Sequence, residues 1–437
     1  MVASLRTRAQ RRLTRSGGAV LAALFITGMM SPDTDNNVAY QAMTPIAALM
    51  LIACGFVSFF RGKFRVERRL PRFATVGKPF RYRVSIQNLG RKRQAGLTLL
   101  EVLDRHLPNY TEWVALQLAN ERQNPSFRFT RPRREALRFT PARSAPVPIP
   151  TAEPGETVEA EVEMTPLRRG PLHFAGVAIA RTDPLGLMRS FIRVAAPQST
   201  LILPRRYLVP PIALPGTVKY QEGGVAFASN VGQSDEFVSL RDYRTGDPMR
   251  HIHWRTWARI GKPVVREFED EFFVRHALVL DTFTSLDPSE LFEEAVSVAA
   301  SFACTVGTQE SLLDLLFVGP ESYCFTAGRG VAHGDRMLEI LASVRACRED
   351  RFRDLERLVL DHAPAVSGCI CVLLAWDEQR REFIRKLRML GVPVLVLLLV
   401  EEQQRKAFDP GPLSQEPEHF QILRLGEVEK NLAMLRT

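Results

Sequence analysis

Chemistry could sit at two aspartates and in one dense segment of charges and aromatics. Asp281 follows directly on the apolar run His276 to Leu280 and precedes Thr282, Phe283, Thr284 and Ser285, while Asp377 closes a second apolar run, Cys369 to Trp376. If those runs are neighbouring parallel strands, both carboxylates share one crevice with the hydroxyls of Thr284 or Ser285. Oxygen ligands of that kind suit Mg²⁺ better than a soft metal. The alternative is that each aspartate only caps the helix behind it. The dense segment runs from Gly232 to Phe268 and reads GQSDEFVSLRDYRTGDPMRHIHWRTWARIGKPVVREF. It sets Glu236, Arg241, Asp247, Arg250, His253 and Arg259 among Phe237, Tyr243, Trp254 and Trp257. Unpaired buried charges cost several kcal/mol each, so a mutually satisfied clamp between a linker and a sheet is one reading. A partner-binding surface is a second. A third is a hydrolase-type site in which His253 works with Asp247 or Glu236 as acid and base. His251 and His253 could ligate a metal, but no second cluster completes a site.

The elements that must position these residues follow from hydrophobic periodicity. After about residue 275, continuous apolar runs at His276 to Leu280, Leu312 to Val318, Cys369 to Trp376 and Val392 to Val400 read as buried parallel strands. They alternate with helical faces, Leu291, Ala295, Val298 and Phe302 first, then Phe383, Leu387 and Leu390. That alternation specifies a doubly wound α/β sheet, in which ligands bind beyond the carboxyl ends of the strands where strand order reverses. From Phe64 to Leu203 the period is two: Phe80, Tyr82, Val84 and Ile86 alternate with polar neighbours, as do Val158, Ala160, Val162 and Met164. A β-sandwich-like domain is expected, with turns at Gly77-Lys78-Pro79, Asn88-Leu89-Gly90 and Glu153-Pro154-Gly155 and a long loop from Asn120 to Pro150. Prolines between Pro204 and Gly216 mark a linker.

The first sixth of the chain differs from the rest. Residues 1–72 hold 11 Lys/Arg against 3 Asp/Glu, whereas the remainder holds 47 against 45. Two charge-free stretches, Ser16 to Pro32 and Asn36 to Phe60, are separated by Asp33 and Asp35 and flanked by arginines and a lysine. The second is long enough to cross a bilayer and the first only barely so. The positive-inside bias then gives a hairpin of two transmembrane helices with the soluble domains in the cytoplasm. A cleaved signal peptide before one span, or two buried core helices, are the competing readings. The nearly neutral remainder argues against a nucleic-acid surface. Cys54, Cys304, Cys324, Cys347, Cys369 and Cys371 lack the paired spacing of a zinc site and read as buried, reduced thiols. No GxxxxGK[ST], HExxH or GxSxG is present, and Gly328, Gly330 and Gly334 are misplaced for a dinucleotide fingerprint.

The dense segment resembles the signature of the bacterial family known as domain of unknown function 58. The positions that carry the resemblance are Gly232, Glu236, Phe237, Leu240, Arg241, Tyr243, Gly246, Asp247, Arg250, Ile252, Trp254, Ala258 and Arg259, with His253 among them. Arg168-Arg169-Gly170 and Asp183-Pro184-Leu185-Gly186-Leu187 resemble the family's turn segments. The resemblance implies a multidomain α+β chain anchored in the inner membrane. Its expected parts are an anchor over 1–63, a β-rich domain over 64–203, a linker and signature over 204–274, and a von Willebrand factor A-like domain over 275–437. It also implies association with MoxR-type AAA+ ATPases and with transglutaminase-like membrane proteins. An adhesion-type metal site of that fold uses D-x-S-x-S, an Asp from a later strand and a Thr. Asp281, Ser285 and Asp377 match, but Phe283 stands where the first Ser belongs. The expected function is therefore a membrane-anchored adaptor rather than an enzyme, with Mg²⁺ as the only candidate cofactor. A hydrolase and a purely structural membrane protein are the alternatives.

Overall fold

A computed structural model describes residues 13–30, 38–104, 140–210, 237–247, 249–268, 274–284, 289–306, 311–327, 331–349, 351–401 and 408–435. It divides into two compact units, Met1–Arg205 with Leu338–Val344, and Arg206–Met337 with Arg345–Thr437.

The first unit begins with helices α1 (Arg15–Met29) and α2 (Val38–Phe59), which pack against each other. At 1.5 Å per residue the 22 residues of α2 extend about 33 Å, matching a hydrocarbon core of about 30 Å. Among the described residues α2 is the one helix long and apolar enough to cross a membrane; α1, with 15 residues, is shorter than the expected first span. Leu51, Ile52, Phe56 and Phe59 of α2 are exposed.

Nine strands follow: β1 (Phe64–Arg69), β2 (Phe73–Thr75), β3 (Phe80–Asn88), β4 (Leu97–Leu103), β5 (Ala142–Ser144), β6 (Val147–Ile149), β7 (Thr157–Pro166), β8 (Gly170–Thr182) and β9 (Arg189–Leu203). They form one sheet of order β1-β3-β7-β5 and another of order β2-β9-β8-β4-β6. The alternation read from the sequence is the burial alternation: Tyr82, Val84 and Ile86 from one sheet meet Leu97, Leu99, Phe174 and Ile179 from the other in a single core. Gly77 and Gly155 take left-handed backbone at the expected turns. Within the expected 120–150 loop, residues 140–150 instead supply the short edge strands β5 and β6; the part up to residue 139 lies outside the described residues. The Asp183-to-Leu187 segment is the β8–β9 turn. Asp183 accepts from Met188 N at 2.6 Å and Leu185 N at 3.2 Å, and the hydroxyl of Thr14, before α1, donates to Gly186 O at 2.6 Å.

The second unit opens with an antiparallel pair, β10 (Phe237–Asp242) and β11 (Val264–Phe268), enclosing the short helix α3 (Trp254–Ile260). Its main sheet has order β14-β13-β12-β15-β16-β17, from β12 (Val274–Leu280), β13 (Ser311–Val318), β14 (Ser322–Ala327), β15 (Gly368–Leu373), β16 (Val394–Val400) and β17 (Phe420–Arg424). All neighbours pair in parallel except β14, antiparallel on the β13 edge. Helices α4 (Glu290–Val306), α6 (Phe352–His362), α7 (Glu378–Met389) and α8 (Val428–Ala433) belong to this unit, and α5 (Val331–Ser343) contributes its residues up to Met337 to it and those from Leu338 on to the first unit. Every residue of β15 and β16 is buried, which requires cover on both faces. On one face Phe352, Leu355 and Val359 of α6 and Phe383, Ile384 and Leu387 of α7 meet Cys369, Cys371, Val394 and Val396. The proline-bearing linker is docked as well: Tyr207 donates its hydroxyl to Glu294 of α4 at 2.5 Å and its N–H to Ser301 at 2.8 Å.

The thiols depart from expectation. Cys369 and Cys371 are buried on one strand face with sulfurs 3.5 Å apart, but Cys54 and Cys324 are exposed and Cys304 and Cys347 half-buried. All are free thiols.

Candidate functional site

In the main sheet β12 runs beside β13 on one side and beside β15 on the other, so strand order reverses between β12 and β15. Ligand sites of open α/β sheets lie beyond the carboxyl ends of such a pair. Asp281 is the first residue beyond β12. The second apolar run ends as a strand at Leu373 rather than at Trp376, and the chain then turns so that Asp377 becomes the N-cap of α7. Capping accounts for part of the Asp377 carboxylate: its Oδ1 accepts from Arg380 N at 3.0 Å.

The two aspartates meet through a residue that composition and spacing did not mark as functional. Arg380 donates its Nε to Asp281 Oδ2 at 2.7 Å and its Nη1 to Asp377 Oδ2, so one guanidinium bridges both carboxylates. Asp281 also accepts from Phe283 N at 3.0 Å and Leu374 N at 3.2 Å. Side-chain exposure is 0% for Asp281, 6% for Arg380 and 48% for Asp377, so the arrangement is closed at its inner end and open at its outer end. The guanidinium carbon lies 4.6 Å from the centre of the Phe352 ring, a cation–π contact inside a desolvated site. Burial alone would lower the Arg380 pKa, but the charges of Asp281 and Asp377 and their hydrogen bonds raise it above the ordinary value for arginine.

A signal for Arg380 exists in the sequence. It stands three residues before Phe383 and seven before Leu387, on the buried stripe of α7, where a charge must find a partner. Thr282 turns its hydroxyl to Val318 O. Ser285, the third residue of the expected metal set, lies outside the described residues. Among the described residues, no group of three or more His, Cys, Asp and Glu side chains could hold a metal ion.

The dense segment forms a small hairpin module. Gly232 and Glu236 lie outside the described residues, Phe237 starts β10, and nothing is described of the Arg250 side chain. Arg241 grips Asp247 through two hydrogen bonds of 2.7 and 2.8 Å, and Asp247 also accepts from Arg244 N at 2.9 Å. The Arg241 hydrogen bond and then that backbone N–H hold the Asp247 carboxyl down at about 2. Gly246, at φ 111°, allows the turn, and Tyr243 N bonds Pro263 O at 3.0 Å. Ile252 is buried and bridges to Val265.

His253, the N-cap residue of α3, shares a 2.5 Å hydrogen bond with Thr256, while Asp247 is held by Arg241; the other acid of the hydrolase reading, Glu236, lies outside the described residues. Trp254 stacks on Trp257 at 5.1 Å yet remains 60% exposed; Ala258, Arg259 and Ile260 are exposed too and Leu240 is at the surface, whereas Trp257 is half-buried. Among the described residues the ion pair of Arg241 with Asp247 belongs to this segment, and Trp254, Ala258, Arg259 and Ile260 face outward.

This hairpin and the sheet behind it coincide with a family match. Residues 239–412 match the family described as Protein of unknown function DUF58. The matched stretch runs from within β10 to beyond β16, with Asp281, Asp377 and Arg380 inside it. The uncharacterized protein YeaD of Bacillus subtilis (strain 168) is 29% identical over 184 residues, which is 41% of this chain and 44% of YeaD. The similarity thus spans less than half of that relative's length. Among solved structures, the PapD-like domain 7 of human CEP192 is 13% identical, covering 32% of this chain and 84% of that domain at a TM-score of 0.16. A cohesin module from a Clostridium perfringens ATCC13124 family 33 glycoside hydrolase is 8% identical, covering 32% of this chain and 98% of that module at a TM-score of 0.15. Scores this low bear no argument about fold.

Proposed function

We propose that this chain is a membrane-anchored adaptor whose α/β unit, von Willebrand factor A-like in its winding, holds a protein partner at the rim beyond β12 and β15. The observation that carries the reading is the bridged pair at that rim: Asp281 and Arg380 are sealed in the fold, while Asp377 keeps 48% of its side chain open to a partner. The place of the pair beyond the ends of β12 and β15, where the sheet reverses, supports the reading, since adhesion-type domains make protein contact at such strand ends. Helix α2 supplies the anchor, and the basic residues Arg61, Lys63, Arg65, Arg68 and Arg69 that follow it favour a cytoplasmic location for the units beyond. The resemblance to the domain of unknown function 58 family makes a MoxR-type AAA+ ATPase the partner of choice.

The test is photo-crosslinking of the full chain in native membranes, with the reactive side chain placed at Gln379 beside the rim or at Lys430 on α8. Both positions are exposed. An adduct with an AAA+ ATPase from Gln379 but not from Lys430, lost on Asp377→Lys, is the expected result. No ATPase adduct from either position would remove the reading.

A further inference from the structure

We infer that Arg380 takes the place of the divalent cation of an adhesion-type site, so that this rim carries its own positive charge and needs no metal. The inference goes beyond the adaptor reading and stands whether or not a partner docks here.

The residues do not fit Mg²⁺. That ion demands near-octahedral oxygen ligands at about 2.0–2.1 Å and usually keeps several waters. Asp281 is fully buried, and its oxygens already accept from Phe283 N at 3.0 Å, Leu374 N at 3.2 Å and Arg380 Nε at 2.7 Å. An ionised carboxylate offers about four lone-pair sites. Three are occupied here, and the side chain reaches no solvent from which a hydrated ion could arrive. Asp377 likewise accepts from Arg380, through both its backbone N and its Nη1. A cation entering between the carboxylates would meet a fixed positive charge in a desolvated place, where repulsion is little screened.

Arg380 is also held there by its surroundings. The Phe352 ring lies under it, and Phe383, Ile384 and Leu387 of the same helix face are buried. A guanidinium fork suits two carboxylates in a way that a point charge does not. Its raised pKa keeps it charged, so its occupancy does not switch with pH in any physiological range. A partner's carboxylate finds no open coordination position, because only 6% of the arginine side chain is exposed. Contact at this rim therefore proceeds through the surface around Asp377.

The experiment measures thermal unfolding of the detergent-solubilised full chain, with Mg²⁺, with Mn²⁺ or with EDTA, and Mn²⁺ binding by electron paramagnetic resonance. The wild type is expected to unfold at one temperature in all three conditions and to bind no stoichiometric Mn²⁺. Arg380→Gln opens the dicarboxylate pair and is expected to unfold earlier in EDTA and to recover by roughly 5 °C or more with saturating Mg²⁺. Arg380→Lys keeps a cation and stays insensitive to metal. One Mn²⁺ bound per wild-type chain, displaced by Mg²⁺ and lost in Asp281→Asn, would overturn the inference. So would an Arg380→Gln protein that folds and ignores Mg²⁺ as the wild type does. If Arg380→Gln does not fold, the wild-type Mn²⁺ measurement decides alone. These outcomes are separate from the crosslinking result, since a metal-free rim can still fail to capture an ATPase.

Discussion

Among the described residues two arginines are buried against carboxylates, one in each unit, and they are built differently. In the β-sandwich Arg68 donates Nε and Nη2 to the two oxygens of Glu101 at 3.1 and 2.9 Å and Nη1 to Ala196 O at 2.5 Å, with the Phe174 ring 5.1 Å away. The two side chains are 0% and 1% exposed, and one charge cancels one charge. In the α/β unit Arg380 serves two carboxylates, and the outer one is half open. Burial and pairing are therefore common to a purely structural pair and to a candidate site. What distinguishes the rim is the second carboxylate, its exposure, and its place beyond the ends of the parallel strands where the sheet reverses.

The comparison can be broken by removing one partner at a time. The largest effect is expected at the closed pair. Glu101→Gln leaves Arg68 with no solvent and no counter-charge, and should cost the first unit about 3–5 kcal/mol in urea unfolding. The double change Arg68→Met with Glu101→Leu should recover most of that loss; failure to recover would mean the pair does more than balance itself. At the rim, Asp281→Asn leaves Arg380 paired to Asp377, and the cost should fall to about 2 kcal/mol. An effect as large as that of Glu101→Gln would show that Asp377 does not share the charge. Asp377→Ala removes a cap but leaves the inner pair intact, so a loss of about 1 kcal/mol is expected.

The smallest effect is one of pH. His276 on β12 is buried, and burial lowers its pKa below the ordinary 6.5, although a hydrogen bond from its ring to the Gly368 backbone opposes this. Because the unfolded chain then binds more protons, the stability is fully present above pH 6.5 and is lost as pH falls from there toward the folded value. The sandwich has no buried histidine among the described residues. Unfolding of the α/β unit should therefore become easier between pH 7 and 5.5 relative to the sandwich, and His276→Gln should flatten the difference. Equal slopes in the two units would count against it.

The strands β12, β13, β15 and β16 were legible because two-sided burial leaves continuous apolar runs, and β3 and β7 because one-sided burial leaves alternation. The short strands β5 and β6, the antiparallel edge β14 and the terminal β17 were not recognised, since few residues carry each pattern. Strand adjacency brought Asp281 and Asp377 together on paper, and the structure places them at one rim. Around Trp254 and Arg259 the mixture of charges and aromatics serves a buried clamp and an outward surface alike, and these two side chains are exposed. Arg380 was missed although its place on the stripe of Phe383 and Leu387 was visible, because a stripe shows that a charge is buried and not what it meets.

The sequence by itself determined the local matters: an apolar helix long enough for a bilayer, the two periodicities, the capping aspartate and the segment similar to a family of unknown function. Each rests on residues close together in the chain, where propensity and spacing act. Only the tertiary structure decided that Arg380 reaches Asp281 across 99 residues and closes the space between two acids. That contact depends on the parallel register of β12 with β15 and on how α7 lies against the sheet. Both are set by packing of the whole unit, so no short window of sequence contains them.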